Sequence, residues 1–263
     1  MKKFLAVLFV LLMIFSLVYC SNPNSGDGSD TGTDTLGDSG NDTAAINNPP
    51  EYEIKEETIV VHETEDGRKS TKVLRYPVIS GMEDAELQNK INSLFVDVAE
   101  RQFILNVPDV DIYVIEDTIF NYDVSDVEVT YISSTFISVK NTVYSMTSVS
   151  SYADCPIYTV NIDLTTGNII DEEDIFGDFN AITSKFLSGG FTKVYGEDSL
   201  MDNTNYEDMI LQYKSDYANY PEVYFTADSL VINIDLVAAL GTSAGFSVPI
   251  SEIADSLEFN PIK

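Results

Sequence analysis

The chain has 263 residues, with 14 Lys+Arg against 43 Asp+Glu, one His, two Cys and no Trp. Hydrophobic residues at 44% and charged residues at 22% permit a packed core and exclude wholesale disorder. A formal charge of -29 disfavours nucleic acid as a partner, and the single histidine, His62, excludes sites that need two or more, HExxH zinc centres among them.

Lys2 and Lys3 form a basic start, Phe4 to Val18 is almost wholly apolar, and polarity changes abruptly after Cys20. That order is a secretory signal. Leu17-Val18-Tyr19-Cys20 resembles a bacterial lipobox, in which a peptidase cuts before the cysteine and the thiol carries a diacylglycerol. Leu17 and Val18 fit that pattern; Tyr19 is bulkier than the Gly, Ala or Ser usual there. The resemblance implies that residues 1–19 are a lipoprotein signal peptide and that Cys20 is lipidated. It further implies that the membrane is a partner through that lipid and that the remaining chain is extracytoplasmic, periplasmic or at the cell surface. The alternative is an uncleaved anchor, for which about 15 apolar residues fall short of the roughly 20 that span a bilayer. Acylation of Cys20 rules out a Cys20–Cys155 disulfide, so the fold is not expected to be disulfide-stapled. Cys155 lies between Asp154 and Pro156, without the cationic neighbour that would make a thiol nucleophilic.

Residues 20–50 read as a lipid-attached disordered linker. Ser21 to Pro50 holds five Asp, five Gly, five Asn, four Ser and four Thr, with Leu36, Ala44, Ala45 and Ile46 as its apolar residues. Such a segment cannot bury enough surface to offset the entropy of ordering, and its r.m.s. reach as a coil is roughly 30 Å. Its Asp-Gly-Ser-Asp run lacks the spacing of an EF-hand.

From Glu51 the apolar pattern becomes regular. Thr58 to Glu65 and Thr71 to Ile79 flank the turn Asp66-Gly67 and predict a hairpin. Ser80-Gly81-Met82-Glu83 has capping-box spacing, and Leu87, Ile91, Leu94, Phe95, Val98 and Leu105 recur at helical intervals up to Asn106, with Pro108 beyond. Val127, Val129 and Tyr131, then Ile137 and Val139, then Tyr158, Val160, Ile162 and Leu164 alternate with polar residues as half-buried antiparallel strands do. Phe179 to Val194, interrupted at Gly189-Gly190, and Tyr206 to Tyr217 suit helices. Val223 to Thr226 and Leu230 to Leu236 suit a second hairpin, followed by a Gly-punctuated loop and Ser247 to Ile250. The fold class expected is α+β, antiparallel sheets packed against a few amphipathic helices.

Leu74-Arg75-Tyr76-Pro77-Val78-Ile79-Ser80-Gly81, followed by Leu87 and Ile91-Asn92, resembles the module named for the deacetylase PdaC. Asn161-Ile162-Asp163-Leu164-Thr165-Thr166-Gly167, Asp174-Ile175-Phe176, Phe225 to Ile232 and Ala244 to Ile250 resemble the RsiV-like C-terminal domain. The resemblance implies a PdaC-type α+β module over residues 51–150 and an RsiV-like module over residues 151–263. In that family the pair forms the extracytoplasmic part of a lysozyme-binding anti-sigma factor and is itself not the enzyme. The sequence departs from the family pattern at Ser150 to Pro156, where a Gly/His-rich segment is usual.

Candidate chemistry is sparse, and no catalytic residue, metal ligand or cofactor is expected. Asp171-Glu172-Glu173-Asp174 could form a carboxylate pair for glycoside hydrolysis or hold a cation, but also suits a helix N-terminus. Hydroxyl-rich Thr147 to Tyr152 lacks a Gly-x-Ser-x-Gly elbow. Tyr206, Tyr213, Tyr217 and Tyr220 are either exposed glycan platforms or a packed helix face. Residues 51–110 carry 7 basic and 13 acidic residues and residues 171–263 carry 4 and 17, so the C-terminal third is expected to attract a cationic protein. The function read from the sequence is a non-catalytic module binding a lysozyme-like cationic protein or a cell-wall glycan through residues not yet assigned. A cell-wall hydrolase and a structural or host-contact surface lipoprotein are the alternatives.

Overall fold

The computed structural model describes residues 48–107, 110–115, 118–196, 206–213, 220–236 and 242–262. The signal-peptide reading of 1–19, the lipidation of Cys20 and the linker up to residue 47 lie outside them, as does Tyr217.

The first hairpin is longer than its apolar residues alone suggest. Strands β1 (Glu51–Glu63) and β2 (Lys69–Ser80) pair antiparallel from Glu51 opposite Ser80 to Glu63 opposite Lys69, with a bulge between Val60 and His62. Gly67 supplies the positive φ (82°) that the turn needs.

Helix α1 (Ala85–Asn106) begins later than Ser80. Ser80 is still paired in β2, Gly81 turns the chain at φ 83°, and Asp84 caps the helix by accepting from the backbone N–H groups of Glu86 and Leu87 at 3.0 and 2.9 Å. Ile91, Phe95, Val98, Ala99 and Phe103 form its buried stripe, Leu94 is part-buried, and Leu105 is 63% exposed. Asn92 fastens the helix to β2, its side chain accepting from the Ile79 N–H at 2.8 Å and donating to the Ile79 carbonyl at 3.0 Å.

A short helix α2 (Val110–Ile115) precedes β3 (Phe120–Ile132), β4 (Phe136–Thr147), β5 (Ile157–Asp163) and β6 (Asn168–Ile169). The resulting six-stranded sheet runs β1-β2-β3-β4-β5-β6. It is mixed where antiparallel strands alone were expected: β2 and β3 pair parallel from Thr71 opposite Asn121 to Val73 opposite Asp123, since α1 carries the chain back across the sheet between them. The Thr165-Thr166-Gly167 turn is held by the Asp163 carboxylate, which accepts from both threonine hydroxyls. Gly167 lies so close to α1 that a Cβ would stand 2.8 Å from a Leu87 methyl.

Helices α3 (Glu172–Ile175) and α4 (Phe179–Leu187) then lead to a four-stranded sheet of β7 (Thr192–Tyr195), β8 (Val223–Phe225), β9 (Ser229–Asp235) and β10 (Ser243–Pro249), in the order β7-β10-β9-β8. Helix α5 (Tyr206–Gln212) packs beside α4 and β9. The helix expected over Phe179 to Val194 stops at Leu187. Gly189 takes φ 76°, and Val194 belongs to β7. Ser243 to Phe246, read as a loop because of Gly245, are strand: a Cβ at 245 would run into the Tyr195 ring, so glycine there serves close approach, not a break.

The fold is α+β. One core lies beneath α1 around Ile79, Ile91, Tyr122 and Ile162, and a second gathers Ile182, Phe225, Ile232 and Val248. Phe136 of β4 joins the second core, its ring edge-on to Phe225 at 5.4 Å. No helix among the described residues is long and apolar enough to cross a membrane.

Candidate functional site

Two features concentrate polar chemistry. The first is a seam where β8 meets β4 and β5. Ser138 of β4 donates to Asn161 Oδ1 of β5 at 2.8 Å and accepts from the Phe225 N–H at 2.9 Å, while Asn161 Nδ2 donates to the Val223 carbonyl at 2.9 Å. Beside it, Glu222 accepts from the N–H and hydroxyl of Thr159 at 2.7 and 2.6 Å. Behind Glu222 the seam continues through Asn233, which donates to Asp235 at 3.0 Å and accepts from the Tyr195 hydroxyl at 3.0 Å.

The electrostatics of the seam follow from its enclosure. Burial and the negative charge of Glu172 push the Glu222 carboxyl up to about 8, against the Thr159 hydrogen bonds that favour its ionised form. Burial raises Glu172, with Asp171 adding to the effect, and raises Asp235 against its bond from Asn233. A carboxyl poised this high could donate a proton, yet Glu222 is anchored to the β5 backbone and Ser138 is occupied by two partners, so both of these side chains also serve to join the sheets.

The residues singled out from the sequence fall elsewhere or into packing. Asp171, Glu173 and Asp174 are exposed at the start of α3, and Glu172 is the one partly covered. Among the described residues no group of three or more His, Cys, Asp or Glu side chains could hold a metal ion. Thr147 and Ser150 bond each other at 2.7 Å in the turn that follows β4. Tyr206 packs edge-on to Phe246 and Tyr220 stacks on Phe176, with ring centroids 4.9 and 5.4 Å apart, and the Tyr213 hydroxyl accepts from the Asp235 N–H at 3.2 Å. These three tyrosines therefore form a packed face. Cys155 is part-buried, and its backbone N–H donates to the Thr242 hydroxyl at 3.1 Å; the chain's other cysteine, Cys20, lies outside the described residues.

Glu222 and Thr159 were not singled out from the sequence. The available signal was Pro221-Glu222 set directly against the apolar run Val223-Tyr224-Phe225, a carboxylate drawn toward a core.

The second feature is an open groove of about 390 Å³ between the exposed end of β1 and helix α1, lined by Glu53, Lys55, Val78, Asn89, Ser93 and Val96. Lys55 pairs with Glu57 at 2.7 Å, and the Tyr76 hydroxyl donates to the same carboxylate. The groove thus offers an apolar floor, amide and hydroxyl groups on one wall and a charged strand on the other.

Neither a protein-family model nor a curated protein matches the sequence. Among solved structures the chain is similar to a DUF3298-family member from Bacteroides fragilis, at 14% identity over 82% of this chain and 97% of that one, with a TM-score of 0.54. It is also similar to a DUF3298-family protein from Pseudomonas aeruginosa, at 8% identity over 83% and 98%, with a TM-score of 0.49. The Bacteroides likeness is one of fold.

Proposed function

We propose that the chain is an extracytoplasmic lipoprotein, anchored through Cys20, whose folded part is a non-catalytic module binding a cell-envelope or lysozyme-like cationic ligand. Residues 51–150 and 151–263 are its PdaC-type and RsiV-like modules, and residues 20–50 hold them off the membrane. The observation that carries the reading is the disposition of charge. Lys55, Arg68, Lys69, Arg75, Lys140 and Lys185 each pair with a neighbouring carboxylate, and the chain's formal charge of -29 supports a cationic partner. Motif resemblance and the DUF3298-type fold support the same direction.

The seam favours one second reading, a hydrolase using Glu222 as acid, because its carboxyl stays protonated near neutrality. The experiment that separates them is calorimetry of the full chain, in mild detergent, against lysozyme and against cytochrome c, a second basic protein, at 0.15 M salt, where the Debye length is about 8 Å. Saturable binding of lysozyme alone supports the module. Equal, stoichiometry-free adhesion of both leaves only a charged surface, and release of soluble fragments from purified peptidoglycan that Glu222→Gln abolishes establishes the enzyme.

A further inference from the structure

We infer that the outer edge of β1 is a docking site for an extended, cationic peptide segment of a protein partner, which adds to the six-stranded sheet as a further strand and lays alternate side chains into the groove beside α1. The inference rests on the reading of the chain as a module for cationic ligands and says where and in what conformation the ligand is held.

The edge itself is the first observation. β1 is the outermost strand of its sheet and spans Glu51–Glu63, whereas the opposite edge strand, β6, is Asn168–Ile169. Its register with β2 is unbroken from Glu51 to Val60, and no proline or glycine interrupts it. A long, regular edge presents a row of outward N–H and C=O groups, the template for strand addition.

The groove is the second. Glu53 and Lys55 lie opposite Val78 and Tyr76 and share with them the face toward α1. A strand added about 4.8 Å outside β1 would point every second side chain to that same face, where Val78 and Val96 offer apolar contact and Asn89 and Ser93 offer hydrogen bonds.

Charge selects the occupant. β1 carries Glu51, Glu53, Glu56, Glu57 and Glu63 against Lys55. Glu56, Glu57 and Glu63 are engaged by Arg75, Lys55 and Lys69, which leaves exposed Glu51 and Glu53 to face an incoming strand. A second copy of β1 would set these glutamates against their own kind, and like charges directly opposite are destabilising. The chain's own segment 21–47 carries five Asp and no Lys or Arg, so it is repelled too. A strand with lysine or arginine at alternate positions meets neither objection. The C-terminal third, despite its higher formal charge, holds Glu222 and Glu172 part-buried.

The test uses a fluorescent ten-residue peptide alternating lysine and valine, titrated into the full chain in mild detergent at 0.15 M salt, beside the same peptide N-methylated at every backbone amide. Saturable binding is expected, at least tenfold weaker for the methylated peptide, and at least tenfold weaker for the Glu51→Lys/Glu53→Lys chain and for Ser93→Trp, which fills the groove. All these positions are exposed, and circular dichroism checks that the variants keep the fold. Equal binding of the methylated peptide, or indifference to the substitutions, overturns strand addition. Lysozyme serves as the control. Saturable lysozyme binding that Glu51→Lys/Glu53→Lys leaves unchanged overturns the β1 site alone, whereas no binding of lysozyme or peptide by the unaltered chain overturns the underlying reading as well.

Discussion

Thr159 donates both its backbone N–H and its hydroxyl to one carboxylate oxygen of Glu222, at 2.7 and 2.6 Å, so a single pair ties β5 of the first sheet to the start of β8 in the second. The enclosure that makes this tie raises the carboxyl from its ordinary 4.5 to about 8. The folded chain therefore keeps a proton that the unfolded chain has already released. Its stabilising effect is complete below about 4.5 and is lost as pH rises through about 8. Thermal unfolding followed from pH 4 to 9 should show a melting temperature that falls across that window. Glu222→Gln should flatten the slope without abolishing it, since Glu172 and Asp235 are raised in the same sense. A slope identical in the variant contradicts the assignment.

Ser138 stands between Asn161 and the Phe225 N–H, with the whole group buried. Ser138→Ala removes a partner from each and adds no water. The expected loss is about 1–3 kcal/mol, measured by urea denaturation, and Ser150→Ala in the exposed turn should change stability by far less. Equal effects would mean that the seam does not hold the sheets together.

Much of this fold is legible as periodicity and little of the seam is. Ile91, Phe95 and Val98 announce α1 because those side chains report their own exposure, whereas Leu105, read onto the same stripe, is exposed and Phe103 is buried in its stead. In the alternation from Tyr158 to Leu164 the apolar positions announce the strand while polar Asn161 is also buried. Where a residue answers to a distant neighbour, local signals mislead. Gly245 looks like a break but makes room for Tyr195, and Ser80 looks like a cap but remains paired with Glu51. The parallel β2–β3 pairing is a property of the crossover, not of either strand. Glu222, Thr159 and Ser138 are ordinary polar residues until the second sheet closes over the first.

Ile91 is fully buried beneath α1, so Ile91→Ala should cost about 2–5 kcal/mol, and Leu94→Ala, at a part-buried site, less. Glu100 lies on the same helix and looks replaceable from sequence, but its carboxylate accepts from Lys72 Nζ at 2.6 Å, and that ammonium lies 4.7 Å from the Phe103 ring. Glu100→Ala should therefore cost about 1–2 kcal/mol, read by chemical denaturation, and Lys72→Met should recover part of it. A neutral Glu100→Ala would show that Lys72 is solvated without its partner.

Cys20 and Cys155 decide the anchor. If Cys20 carries lipid, metabolic labelling with a fatty-acid analogue should tag the chain, Cys20→Ala should abolish the tag, and Cys155 should react with maleimide after unfolding without reductant. An untagged chain whose Cys155 reacts only after reduction would place Cys20 in a disulfide with Cys155 instead.

An acidic folded surface that recognises a cationic protein without transforming it should gather that partner by charge. Stopped-flow association of the full chain with lysozyme, followed from 0.01 to 0.15 M salt, measures this. Complementary fields predict an association rate that falls about tenfold or more over that range while the dissociation rate changes far less, with lysozyme recovered at unaltered mass. An association rate indifferent to salt, or no saturable complex at 0.15 M, would contradict it.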